Sequence, residues 1–190
     1  MDFMTRYLSV FLLLFVGLFS CNDKAEDVVS SVNKKYNAIN QKLSDYKQKR
    51  VDDITSTAKG TITGYYREEE VKKMYAEHFT DTNRVFTEYY FDDGMLIFIR
   101  QENFVYNRPD TYTEDSAKVH NDSVWYDDKK TKKNISRFYF RKNKLVKWIG
   151  PDNSETAPGT AAFIDKESIL WAETVILIKE LKETPTTPTP

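Results

Sequence analysis

Cysteine is almost missing from this chain: Cys21 is the only thiol in 190 residues. No intramolecular disulfide can form, and the fold must be held by its apolar core. Histidine is nearly as scarce, at His78 and His120, which with one cysteine excludes a structural zinc site of the usual Cys/His spacing. Six glycines provide neither a phosphate-binding loop nor a dinucleotide fingerprint. No G-x-S-x-G elbow accompanies either histidine. An excess of one charge is absent too. The 28 basic and 29 acidic side chains are well mixed and leave a net charge of −1. A nucleic-acid partner would need clustered positive charge, and none is expected.

Acids are plentiful, but their arrangement is not catalytic. Glu68-Glu69-Glu70, Asp92-Asp93, Glu114-Asp115 and Asp127-Asp128 are runs of neighbours. Adjacent residues on a strand point to opposite faces, so such runs do not make the acid pair of a glycosidase. Asp110 with Glu114 and Asp115 matches no known calcium-loop spacing. These acids read as solvated turn residues. No catalytic residue, metal ligand or cofactor is assigned, and a non-enzymatic role is expected.

What is present begins with a leader. An apolar run from Leu8 to Phe19, broken by Ser9 and Gly17, ends in Ser20-Cys21. About a dozen apolar residues after a short start containing Arg6 describe a secretory signal, since a membrane span needs roughly twenty. Asp2 offsets Arg6, and a start at Met4 would remove that anomaly. Leu18-Phe19-Ser20-Cys21 resembles the lipobox of bacterial lipoproteins, with Phe19 where a small or aliphatic residue is usual. The resemblance implies cleavage of a 1–20 signal peptide and lipid, including palmitate, on Cys21. It also implies a chain tethered to the cell envelope, at the outer membrane. Lipidation would account for the unpaired thiol. The acidic stretch Asn22 to Asp27, interrupted by Lys24, is similar to surface-export tags of some Gram-negative lipoproteins. Its plainer reading is a tether over 21–25.

The remaining chain, 26–183, reads as one α+β domain with enough aromatic and aliphatic residues for a core. Val29, Val32, Tyr36, Ile39, Leu43 and Tyr46 recur at alternate steps of three and four, predicting an amphipathic helix over 26–50. Its narrow stripe must lie on the sheet that follows or on a second helix. Asp52 to Lys59 reads as a linker. From 60 to 149, seven β-branched and aromatic segments predict an antiparallel meander: 61–66, 70–78, 84–91, 95–106, 119–126, 135–141 and 144–149. After a loop over 150–159, Asp165 is the expected cap of a helix over 165–183, with Ile169, Ala172, Ile176 and Leu181 among its apolar members. A strand over 174–178 is the alternative there. Residues 184–190 form a Pro/Thr tail expected to be disordered.

Within the meander, Tyr89-Tyr-Phe-Asp-Asp-Gly-Met-Leu-Ile97 matches Phe138-Tyr-Phe-Arg-Lys-Asn-Lys-Leu-Val146. Asp93-Gly94 and Lys142-Asn143 suit tight hairpins where φ turns positive. A two-residue loop pairs Phe91 with Leu96, Tyr89 with Phe98 and Tyr90 with Ile97. In the second copy it pairs Phe140 with Leu145 and Tyr139 with Val146. Aromatics then lie on both sheet faces, which requires each to be covered at least in part. The motif resembles hairpin units in repeat-bearing bacterial envelope proteins, including the YwqK-like antitoxin repeats. No function is carried over from it.

Aromatics supply the functional candidates. Tyr65, Tyr66, Tyr90, Trp125, Tyr126, Tyr139 and Trp148 are amphipathic rings suited to a protein or glycan surface. The competing assignment places most of them in the core. The expectation is a non-catalytic binding or assembly subunit, anchored to the membrane by lipid, with a protein or glycan partner. Its rivals are an inhibitor or immunity lipoprotein that blocks a hydrolase, and a carboxylate-dependent hydrolase.

Overall fold

The computed structural model describes residues 20–53 and 59–185, with side chains from residue 25. The 1–19 part of the leader, 54–58 of the expected linker and 186–190 of the expected tail lie outside the described residues.

The chain is α+β. Helix α1 (Ser20–Gln41) and a 3-10 turn at Leu43–Asp45 lead into strands β1 (Lys47–Asp52), β2 (Lys59–Arg67), β3 (Glu70–Phe79), β4 (Asn83–Asp92) and β5 (Met95–Val105). A short helix α2 (Glu114–Val119) and a 3-10 turn at Asp128–Lys130 follow, then β6 (Lys132–Arg141), β7 (Lys144–Ile149), β8 (Glu155–Thr156) and helix α3 (Ala161–Glu183). The eight strands form one sheet in chain order, each antiparallel to the next. Strands consecutive in the chain are neighbours throughout, even across the long excursion between β5 and β6.

Four elements of the structure depart from the sequence reading. The helix expected over 26–50 stops at Gln41, and its last turns are strand β1. There Val51 pairs with Ile62 and is fully buried, while Lys47, Gln48 and Arg50 stay exposed. Burying Val51 and gaining a ladder outweighs two more exposed helical turns. The same helix starts at Ser20, so 21–25 continues α1 instead of forming a separate tether. The strand expected over 119–126 does not form. The Thr113 side chain caps α2 by accepting from the Ser116 amide, and Asn121 turns the chain at φ 54°. Helix α3 is capped by Thr160, whose hydroxyl accepts from the Phe163 amide at 3.3 Å, and Asp165 lies inside the helix. Residues 174–178 are helical because Phe163, Leu170, Thr174, Leu177 and Leu181 share the buried side. The buried Thr174 hydroxyl is satisfied by the Leu170 carbonyl at 2.7 Å.

The hairpins share one design. Phe91 pairs with Leu96 and Phe140 with Leu145, as the two-residue loops require. A bulge then shifts the register, so Tyr90 faces Phe98, Tyr89 faces Ile99 and Tyr139 faces Lys147. The expected pairs with Ile97 and Val146 are replaced because those residues are the extra members of the bulges. A third copy precedes these two. Around Glu68-Glu69, Tyr66 pairs with Val71 and Tyr65 with Lys73, with the same bulge between them.

This register sorts the aromatics. Tyr66, Phe91 and Phe140 fall toward α3, and Tyr65, Tyr90 and Tyr139 fall on the other face. On the α3 side, Ile62, Met74, Tyr89, Leu96, Ile99 and Phe138 pack with Phe163, Leu170, Leu177 and Leu181. Gly64 lets the two layers close, since a Cβ there would sit 3.1 Å from Leu181 Cδ1. On the α1 side, Tyr90, Ile97, Phe98 and Tyr139 pack with Val32 and Ile39. The stripe of α1 therefore lies on the sheet. Helix, sheet and helix make three layers with two separate cores.

Candidate functional site

The seven aromatics singled out in the sequence do not come together. Tyr90 and Tyr139 are buried beneath α1 and serve the core, which removes them as binding residues. Tyr66 and Trp148 are half-buried on the α3 side, where Trp148 stacks near Phe138 at 5.7 Å between centroids and lies under Lys166. Trp125 and Tyr126 belong to the excursion between β5 and β6, with Tyr126 edge-on to Tyr106 at 5.3 Å. Only Tyr65 borders the surface described next.

Helix α1 covers part of its sheet face. Beyond it the pairing of β2 to β6 builds three cross-strand rows. The row nearest α1 is Thr63, Tyr75, Glu88, Arg100 and Arg137. The middle row is Thr61, Glu77, Phe86, Glu102 and Ile135, and the far row is Lys59, Phe79, Arg84, Phe104 and Lys133. With strands about 4.8 Å apart and same-face residues about 6.8 Å apart, the rows span an area of about 19 by 14 Å. Rings or aliphatics alternate with charges along the middle row from Glu77 to Ile135 and along the far row from Lys59 to Lys133. Phe86 lies 6.1 Å from Tyr75, 6.0 Å from Phe79 and 5.5 Å from Phe104, centroid to centroid. Arg84 and Lys133 both sit over the Phe104 ring, at 4.8 and 5.2 Å.

The charges form a continuous chain starting under the end of α1. Lys73, 6% exposed, donates to Asn40 Oδ1 at 3.1 Å and to Glu88 Oε1 at 2.6 Å. Asn40 Nδ2 also donates to the Tyr90 hydroxyl at 3.0 Å. Glu88 continues to Arg100 at 3.3 Å, Arg100 bonds Glu102, and Glu102 meets Lys133 at 2.8 Å. At the other border Arg50 and Thr61 hold Glu77, with Thr61 donating at 3.1 Å. Partial burial opposes ionisation of Glu102, but hydrogen bonds from Lys133 and Arg100 outweigh it and hold its carboxyl below the usual carboxylate range. Burial, reinforced by the Glu77 carboxylate, pushes the Tyr75 phenol up to about 12. Two guanidinium N–H groups on this face, Arg84 Nε and Arg137 Nε, are buried without a hydrogen-bond partner among the described residues.

These residues carry a signal in the sequence that is legible in their spacing. Tyr75-x-Glu77-x-Phe79, Arg84-x-Phe86-x-Glu88 and Lys133-x-Ile135-x-Arg137 each alternate rings or aliphatics with charges at every second residue, and Arg100-x-Glu102-x-Phe104 sets two charges and a ring at the same spacing. That spacing places each set on one side of its strand.

The other candidates stay apart from this face. His78 pairs through Nε2 with the nearly buried Asp53 on the opposite side of the sheet, and His120 Nδ1 lies 2.7 Å from the Ser116 carbonyl oxygen. No group of three potential metal ligands occurs among the described residues. The acid runs lie in turns and helix starts: Glu68-Glu69 and Asp93 in hairpin turns, Glu114-Asp115 in the first turn of α2, Asp127-Asp128 at a 3-10 turn. Cys21 lies in the first turn of α1. No helix among the described residues is long and apolar enough to cross a membrane. Compared with protein-family models, curated proteins and solved structures, the chain matches none.

Proposed function

We propose that this chain is a lipid-anchored, non-catalytic binding subunit of the bacterial cell envelope that presents the open part of its α1-side sheet face to a protein or glycan. The observation that carries the reading is the lattice of rings and paired charges left uncovered beside α1. Half-exposed rings flanked by guanidinium and ammonium groups offer apolar contact and directional hydrogen bonds together, the combination used at recognition surfaces. The leader and the Cys21 motif support the anchor and the outer-membrane location.

Two measurements test the two halves. Labelled palmitate fed to producing cells is expected to mark the wild-type chain and not Cys21→Ser; an unlabelled wild type would refute the anchor. Pull-down from detergent-solubilised envelope is expected to recover a stoichiometric partner, or bound glycan, with the wild type. Phe79→Asp combined with Lys133→Glu should lose it, since both side chains are among the most exposed of the face, Phe79 at 41% and the Lys133 side chain at 45%. A partner retained at full occupancy by the double variant would move the binding site elsewhere. Capture of a secreted hydrolase would favour the inhibitor reading.

A further inference from the structure

Helix α3 is apolar on both sides, unlike a surface helix. Phe163, Leu170, Leu177 and Leu181 are buried on the sheet, yet Ile164, Ile169, Val175 and Ile176 stand 46 to 57% exposed on the outer side, and Trp171 is 40% exposed. A contiguous exposed apolar strip of this kind marks an interaction surface. Its pattern identifies the occupant.

At about 100° per residue, the outer face centres on Ala172, which is also the midpoint of Ala161–Glu183. About that point the sequence is self-complementary. Three residues to either side stand Ile169 and Val175, and seven residues to either side stand Asp165 and Lys179. We propose that α3 pairs with α3 of a second copy of this chain, antiparallel, about a two-fold axis passing Ala172. Ile169 of each copy then meets Val175 of the other, and Asp165 meets Lys179 at both ends of the contact. Neither Asp165 nor Lys179 has an ion-pair partner among the described residues, and both are exposed. The small Ala172 at the centre lets the axes approach closely. A parallel pair would instead oppose Asp165 to Asp165. A lipid surface fits less well, because Asp165 stands in the outer face and the helix carries five acids against three lysines. The isologous contact is closed, so it makes dimers and not filaments. It lies on the opposite side of the sheet from α1 and the ring-and-charge face, leaving both free in the dimer.

The test uses the full chain in non-ionic detergent, in a Cys21→Ser background that leaves no other thiol. Under mild oxidation Ala172→Cys is expected to give a disulfide-linked dimer. Ser168→Cys should not, since the two copies of residue 168 would stand about 12 Å apart along the axis. Asp165→Lys should lower the Ala172→Cys cross-linked fraction about fivefold, the scale of two exposed ion pairs reversed to repulsion. Adding Lys179→Asp should restore it. A monomeric Ala172→Cys chain, equal cross-linking at 168 and 172, or failure of the double swap to restore dimer would each overturn the proposal. So would co-sedimentation with phosphatidylcholine vesicles that Ile176→Asp abolishes, which would assign the strip to lipid.

Discussion

Lys73 shows how a charged side chain becomes part of a core. Its ammonium lies 5.1 Å from the Tyr90 ring centroid and 5.9 Å from that of Tyr65, and its hydrogen bonds to Asn40 and Glu88 replace the water it has lost. It also ties α1 to the sheet, because Asn40 belongs to the last turn of that helix. Lys73→Met keeps the bulk and removes the charge. It is expected to lower unfolding free energy by about 2 kcal/mol in urea titrations, the range for hydrogen bonds to charged groups. Much of that cost comes from leaving Glu88 with only Arg100, so adding Glu88→Gln should recover part of it. A fully additive double variant would show that the two residues do not act as a pair. In sequence Lys73 is one lysine among many, and nothing local distinguishes it from Lys72 beside it. The bulge between Tyr65 and Tyr66 and the arrival of α1 bury it.

At the scale of elements, the hairpins are where local sequence and final structure agree best. Asp93-Gly94 and Lys142-Asn143 both take positive φ at both loop positions, as their residue types suggest. The first hairpin is silent in the sequence because its loop is Glu68-Glu69, which carries no turn signature, although Glu68 adopts φ 56°. A left-handed conformation costs a residue such as glutamate roughly 1 to 2 kcal/mol and an asparagine less. Glu68→Asn is therefore expected to raise the melting temperature, by the equivalent of about 0.5 kcal/mol. Gly94→Ala, at φ 69° with nothing within 4 Å of a new Cβ, should lower stability by about 1 kcal/mol through backbone strain alone. Thermal melts of both variants check the pair. A stabilised Gly94→Ala would be incompatible with the turn geometry described. The bulges themselves were not readable, because an inserted residue such as Ile97 or Val146 continues the apolar pattern without a break.

At the scale of the molecule, the sheet separates two cores that share no buried side chain. Leu177→Ala on the α3 side and Ile39→Ala on the α1 side should each cost about 3 kcal/mol, typical of a buried leucine or isoleucine truncated to alanine. Because a whole sheet lies between the two sites, the double variant should lose the sum to within about 0.5 kcal/mol. Coupling well beyond that in chemical denaturation would mean that the layers do not pack independently. The same layering explains the fate of the candidate site. Aromatic content alone does not say which rings face a helix and which face solvent, and Tyr90 and Tyr139, binding candidates by residue type, are covered by α1.

The sequence by itself determined the elements whose information is local: the paired aromatic hairpins, the apolar stripe of α1, the consecutive antiparallel order, and the likeness of residues 18–21 to a lipidation motif. Each rests on spacing within about a dozen residues. The tertiary structure decided where α1 gives way to β1, since Val51 gains burial only once Ile62 is opposite it. It also decided that Ile169, Ala172 and Ile176 point outward while Leu181 points in. Helix α3 is apolar nearly all round, so the choice of its buried side falls to the fit of Leu170, Leu177 and Leu181 against the sheet. The open ring-and-charge face exists for a similar reason. Its every-second-residue spacing of rings and charges is written into four strands, but only the point where α1 ends leaves it uncovered.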